Sequence, residues 1–306
     1  MKRWWFWGAL MLIAVAWAIN IAIYETEQLE EPIVLKHYIE LPMEQTHFFK
    51  IYYLTNKNNP AILQSLEVNG LSIPNISSSN DMWLYENENP GYNKPNVVQE
   101  FTHHLLLEAH FDPSMLSPEG VEDKPFTWNN VFLSFGDGTV KEYNIGEIHF
   151  NISRVKEEPK LSSMSSGGTS DGLHSTIYVA EEQLKMDEVI LPEYITQDVQ
   201  VKVLYEGEKA RVPDAVYQAG NMPDWDEVSQ PLAKDIDWPI PLEPQGSVGL
   251  FVQIDPTYTT VIDAQIDWKG KTVDGQKIIA PVSLQHIPQL TDESLHQMIK
   301  KARETP

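Results

Sequence analysis

The sequence predicts an all-β protein displayed beyond a membrane: two β-sandwich domains behind an N-terminal transmembrane helix, closed by a short C-terminal α-helix. Three observations predict it. Trp4 to Tyr24 is an unbroken apolar run in which Asn20 is the one plainly polar side chain. The rest of the chain is cut by Asn, Asp, Gly and Pro into short β-branched and aromatic runs, the punctuation of strands and turns. There is no cysteine, so an exported body of this size must be held by its core rather than by disulfides.

As a helix rising about 1.5 Å per residue, the apolar run spans roughly 30 Å, the thickness of a hydrocarbon core. Lys2 and Arg3 precede it, whereas Glu25, Glu27, Glu30 and Glu31 follow. The positive-inside bias then puts residues 1–24 across the membrane with the N-terminus in the cytoplasm and everything later outside. Trp4, Trp5, Trp7 and Tyr24 sit at the two ends, where amphipathic rings prefer the head-group level. A cleaved signal peptide is the competing reading, with small residues at Ala14-Val15-Ala16 and Ala16-Trp17-Ala18. The apolar run continues through Ile19, Ile21 and Ile23 past either site, which favours an anchor.

Of 306 residues, those after the anchor suffice for two domains of ordinary size, expected at 33–157 and 175–288. The net charge is −22; the 22 basic residues less Lys2 and Arg3 leave 20 against 44 acidic, or −24 outside. Arginine there is limited to Arg154, Arg211 and Arg303. Nucleic acid is excluded as a partner by this balance, since binding it rests on clustered Lys and Arg. The expected partners are the lipid bilayer through residues 4–24 and another cell-surface protein or a glycan. The absence of cysteine also removes thiolate metal sites and cysteine nucleophiles, and it suits a bacterial cell surface.

In chain order, residues 25–32 read as an acidic stalk ending at Pro32, and Ile33 to Leu41 as a first strand. Phe48 to Leu54, the turn Thr55 to Pro60, Ala61 to Val68 and Asn69-Gly70 read as consecutive strands joined by tight turns. This order resembles the front half of an immunoglobulin-like sandwich, a likeness of pattern that implies a stacked pair of antiparallel sheets. Residues 74–96 read as loop with a brief pairing segment at Met82 to Tyr85. Val97 to Phe111 supports either a strand, with Phe101, His103, Leu105, Leu107, Ala109 and Phe111 on one face, or a helix; the longer period-2 count favours the strand.

Val131 to Phe135, Gly136-Asp137-Gly138 and Thr139 to Ile145 form the clearest hairpin, and Gly146 to Val155 continues as another strand. Residues 158–174, with Ser162-Ser163-Met164-Ser165-Ser166-Gly167-Gly168, cannot bury apolar surface and read as a flexible Ser/Gly-rich linker. Strands follow at Ser175 to Ala180, Asp198 to Tyr205, Ser247 to Ile254, Thr257 to Trp268 and Lys277 to Leu284. Between them lies the Pro-rich segment Pro213 to Pro244. Residues 289–306 form an amphipathic helix: Thr291 as N-cap, Leu290 and Leu295 as hydrophobic staple, and Leu295, Met298, Ile299 and Ala302 as one stripe.

Two constellations could carry chemistry. His103, His104, Glu108 and His110 are metal-ligand types, but on a strand rising about 3.3 Å per residue His104 and His110 stand roughly 20 Å apart and cannot share an ion. No metal site and no cofactor are therefore expected. Asp224, Trp225 and Asp226, with Asp235, Asp237 and Trp238, bring paired carboxylates and aromatic rings into one loop, a combination that suits a sugar or a peptide. They lack the glycine and terminal glutamate of an EF-hand. The bland alternative is that both tryptophans only tuck the loop against a sandwich. No GxSxG, HExxH, P-loop or dinucleotide glycine pattern occurs. The reading is a non-catalytic binding or interaction module. The alternatives are a cell-wall or glycan hydrolase using carboxylates of the 213–244 loop, and a structural subunit of a membrane complex.

Overall fold

The computed structural model describes residues 2–42, 48–76, 95–112, 125–152, 160–169, 172–205 and 223–304. The expected segment Met82 to Tyr85 and the first part of the Pro-rich segment lie outside these residues. The architecture is mostly β, with sheets stacked as sandwiches, an apolar N-terminal helix and a short C-terminal helix.

Helix α1 spans Lys2–Glu27. Its stretch Trp4–Glu27 is long and apolar enough to cross a membrane, at a mean hydropathy of 2.1, and the side chains described from Trp4 to Ile21 are all exposed. Strand formation then begins with β1 (Ile33–Val34) and β2 (His37–Pro42), so the single strand expected over 33–41 is broken at Leu35 and Lys36. β3 (Phe49–Asn56) and β4 (Leu63–Val68) do not pair with each other: the turn between them carries the chain from one sheet to another. β4 pairs β5 (Leu71–Pro74) around Asn69 and Gly70, both at positive φ, the conformation that Asn-Gly tolerates in a two-residue turn. Val97 to Phe111 is extended, as the period-2 count favours, but it folds back at 101–103 into β6 (Asn96–Glu100) and β7 (His104–Phe111). β8 (Phe126–Phe135) and β9 (Val140–Ile152) form the expected hairpin, and β9 runs through Gly146 as one strand.

The second half contains β10 (Leu161–Gly168), β11 (Leu173–Ala180), β12 (Leu184–Ile190), β13 (Val199–Leu204), β14 (Ile240–Leu242), β15 (Ser247–Ile254), β16 (Val261–Thr272) and β17 (Lys277–His286). The linker expected at 158–174 is thereby corrected. Its Ser/Gly run is β10, paired with β11 from Leu161 to Gly168. An edge strand needs only backbone hydrogen bonds on one side, so a segment with Leu161 as its sole buried side chain can still be a strand.

Three sheets result. Sheet A has the order β1-β3-β7-β6, sheet C the order β10-β11-β15-β13, and sheet B runs β14-β12-β16-β2-β9-β8-β4-β5 with β17 also on β16. β2 is the hinge of the design: it lies parallel to β9 on one side and parallel to β16 on the other. Its alternating side chains face two different cores. Ile39 and Leu41 join Phe49, Ile51, Leu107, Phe111, Trp128 and Phe150 between sheets A and B. Tyr38 joins Ile262, Ala264, Ile266, Trp268, Val201 and Leu250 between sheets B and C. Sheet B thus runs through both sandwiches, and at β2 its opposite faces turn to two different cores.

A third cluster covers the outer face of sheet A. Tyr52, Leu54 and Leu106 meet Leu290, Leu295 and Ile299 of helix α2 (Asp292–Glu304). Thr291 caps α2 as expected, its Oγ1 accepting from Ser294 N at 3.1 Å. The acidic segment 25–32 is not a free stalk. Leu29 N donates to Asn56 Oδ1 at 2.9 Å and Asn56 Nδ2 returns a bond to Leu29 O at 2.8 Å.

Candidate binding site

The two Asp/Trp pairs sit where the chain wraps around edge strand β13. Trp225 opens a short turn capped reciprocally by Asp224 and Glu227. Its ring stacks on Phe251 at 5.5 Å, on the outer face of sheet C, where Leu173, Ile177, Leu204 and Val228 complete a small cluster. Lys202 Nζ lies 4.1 Å from the Trp225 ring and donates to Trp225 O at 2.6 Å and Val228 O at 2.7 Å. The chain then follows the edge of β13, with Val203 N donating to Pro231 O at 3.1 Å and Leu232 bridging Lys202. Beyond it Ile236 and Trp238 reach the core between sheets B and C, and Trp238 Nε1 donates to Ala233 O at 3.2 Å.

The tryptophans therefore belong to different clusters, and both serve as fasteners. Asp224, Asp226, Asp235 and Asp237 are exposed. A glycosidase needs two carboxyls facing each other across a sugar, whereas here Asp224 and Asp226 flank a ring on the outer face of sheet C and Asp235 and Asp237 flank Ile236, which packs in the core on its other face. What the arrangement can do is present carboxylates and ring edges to a partner from the rim of sheet C, while covering a strand edge that would otherwise invite pairing.

The histidines on β7 do not converge either. His104 is buried, and its Nε2 donates to Glu27 O at 2.8 Å. Glu108 bonds His110 Nε2 at 2.8 Å and Lys50 Nζ at 3.0 Å. Burial by itself would raise the Glu108 carboxyl, but these bonds outweigh it and hold the pKa at about 2. Among the described residues no group of three or more His, Asp and Glu is placed to hold a metal ion. Asn75 is buried with its amide donating to Leu63 O and fastens the end of β5 to the start of β4.

A second surface escaped the sequence analysis. β16 pairs β2 at 261–263 and β12 at 267–272, leaving a fork in sheet B between them. Glu40 fills it: its Oε2 accepts from Gln265 N at 3.1 Å and its Oε1 from Tyr38 OH at 2.9 Å. Tyr194, from the turn after β12, stacks on Tyr38 at 5.1 Å and an interplanar angle of 9°. His149 lies 5.1 Å from Tyr38, its ring tilted by 57°, and bonds Glu147 at 2.9 Å and Thr127 at 2.9 Å. Burial, then Glu147 and Asp198, push the Tyr194 phenol up, so it stays a neutral donor. Tyr194 is 39% exposed, which leaves an aromatic face beside carboxylates open to solvent. Alternation would have put Tyr38 with Glu40 and Glu147 with His149 on shared faces. Only the parallel pairing of β2 with β9, more than a hundred residues apart, brings the pairs together.

No protein-family model matches the sequence, and no curated protein matches it. Solved structures give loose similarities. The YadV chaperone is 10% identical over 83% of this chain and 99% of that chain, at a TM-score of 0.21. The N-terminal Ig1-2 module of the Drosophila receptor protein tyrosine phosphatase DLAR is 8% identical over 85% and 98%, at a TM-score of 0.23. The collagen-binding domain of the Erysipelothrix rhusiopathiae surface protein RspB is 9% identical over 84% and 92%, at a TM-score of 0.24. At these scores the strand order and the site rest on the chain's own ladders and contacts.

Proposed function

We propose that this chain is a membrane-anchored interaction module: α1 spans the bilayer with its N-terminus inside, and the sheets stand outside to bind another surface protein or a glycan. The observation that carries it is α1 itself. A stretch of 24 residues at a mean hydropathy of 2.1, whose side chains described from Trp4 to Ile21 are all exposed, has no stable environment in water and a ready one in lipid. The fork formed by Tyr194, Tyr38, His149 and Glu147 is the binding surface the geometry supports best, with the exposed acids Asp224, Asp226, Asp235 and Asp237 as a second contact strip. Aromatic faces beside carboxylates suit sugars and cationic peptides.

The test is crosslinking and pull-down of the intact protein from its own membrane. It is run beside a Tyr194→Ala, Glu147→Gln variant and a variant with all four loop aspartates changed to Asn. Loss of the captured partner in the first variant supports the fork, and loss in the second alone moves the contact to the loop. Unchanged capture in both removes the assignment. A reporter fused after Pro306 that is active in the cytosol removes the topology.

A further inference from the structure

The end of α1 is held by the folded body at several points, and this fixes where the body must sit. Counting about 30 Å of hydrocarbon from Trp4 at 1.5 Å per residue brings the apolar boundary to Tyr24, and the head-group layer beyond it is only about 5–7 Å deep. Residues Tyr24 to Glu27 cross that layer. Every group bonded to them is therefore at head-group depth.

Those groups come from three elements. Asn58 Nδ2, in the turn after β3, donates to Tyr24 OH at 2.8 Å. His103, in the turn between β6 and β7, packs edge-on against the Tyr24 ring at 6.0 Å. The last carbonyls of a helix have no partner within it and carry its negative end. Here they are taken by the body: His104 Nε2 donates to Glu27 O at 2.8 Å, and Arg303 of α2 donates to Thr26 O and Gln28 O. The Asn56–Leu29 pair and an ion pair of Lys141 with Glu31 at 2.5 Å continue the fastening. A helix capped in this way cannot act as a loose tether.

We propose that the body rests directly on the outer leaflet, with the 56–60 turn, the 101–104 turn and the C-terminal end of α2 set among the phospholipid head groups. This rests on the anchor reading of α1. Lys57, Asn58, Asn59, Lys300 and Arg303 are exposed on this face and supply donors to phosphate and glycerol oxygens. Glu25 and Glu27 share the face, so contact depends on hydrogen bonding and on the rigid exit of α1 rather than on net attraction.

The 273–276 turn serves as the remote reference: β16 starts at Val261, packed in the cluster beneath α2, and its 12 residues put that turn some 35–40 Å along the strand from this cluster. The experiment uses the full chain in phosphatidylcholine vesicles, and the cysteine-free sequence allows single labels at Leu12→Cys, Asn59→Cys and Val273→Cys. Each fluorescent label is read against lipids carrying a nitroxide at the head group or deep in the acyl chain. Quenching of the Asn59 label by head-group nitroxide several-fold stronger than that of the Val273 label, with the Leu12 label quenched from the acyl chain, is the expected result. Arg303→Ala should reduce the Asn59 quenching. A quenched Leu12 label with Asn59 no better quenched than Val273 overturns the posture and leaves the anchor standing. An unquenched Leu12 label overturns both.

Discussion

Acid should weaken this protein through His37. The residue is fully buried at the start of β2, where it links two sheets. Its Nδ1 bonds Ile145 O on β9 at 3.2 Å, and its Nε2 accepts from Tyr52 N on β3 at 2.9 Å. β1 ends too early to take that Tyr52 N–H, so the imidazole extends the ladder in its place. This fixes the neutral ring with the proton on Nδ1; a second proton on Nε2 would face a donor in a dry site. Burial pushes the pKa down from 6.5 to about 4. The unfolded chain therefore binds the extra proton first as pH falls. The stabilisation is fully present above about pH 6.5, declines below it and is gone near pH 4, for a total of about 3 kcal/mol. That is a large part of the 5–15 kcal/mol typical of a folded domain. Urea denaturation of the full chain in detergent, followed by circular dichroism at pH 7.5, 6, 5 and 4, measures it against His37→Leu. At pH 7.5 the variant should be less stable by about 2–4 kcal/mol, because Tyr52 N–H and Ile145 O lose their partner. The gap should close toward pH 4. His174, also near 4 through burial, contributes a slope of the same sign to both proteins, so the difference isolates His37. Stability curves that stay parallel down to pH 4 would refute the reasoning.

Other consequences follow from the same seam and its surroundings. Gly146 faces His37 at φ +94°, and a Cβ there would lie 2.2 Å from His37 O, so Gly146→Ala should cost about 3 kcal/mol or more in the same denaturation assay. Because sheet B runs through both sandwiches, unfolding should be one cooperative step; separate midpoints from near-ultraviolet dichroism and fluorescence would show that the halves are independent. Leu295→Ala should lower stability by about 2–4 kcal/mol by leaving a cavity under α2, read as a shift in urea midpoint. Lys202→Met removes two hydrogen bonds and a ring contact from the 223–238 segment, worth about 1–2 kcal/mol locally, and should speed its cleavage by a protease at neutral pH.

Local pattern carried much of this molecule. The length and flanks of Trp4 to Tyr24, the β-branched and aromatic runs of β3, β8 and β15, the Asn69-Gly70 turn and the Thr291 cap with its Leu290–Leu295 staple are interactions between near neighbours, so they can be read in one dimension. Tertiary pairing decided the rest. Ser162 to Gly168 became a strand only because β11 offered it an edge, and residues 25–32 became a fastening because Asn56, His104 and Arg303 reached their backbone. Trp225 and Trp238 went to different clusters because β13 runs between them. The fork at Tyr38 exists because β2 lies parallel to strands from both halves. Such contacts join groups tens to hundreds of residues apart, and the free energy that selects them resides in the packed sheets rather than in any local run of side chains.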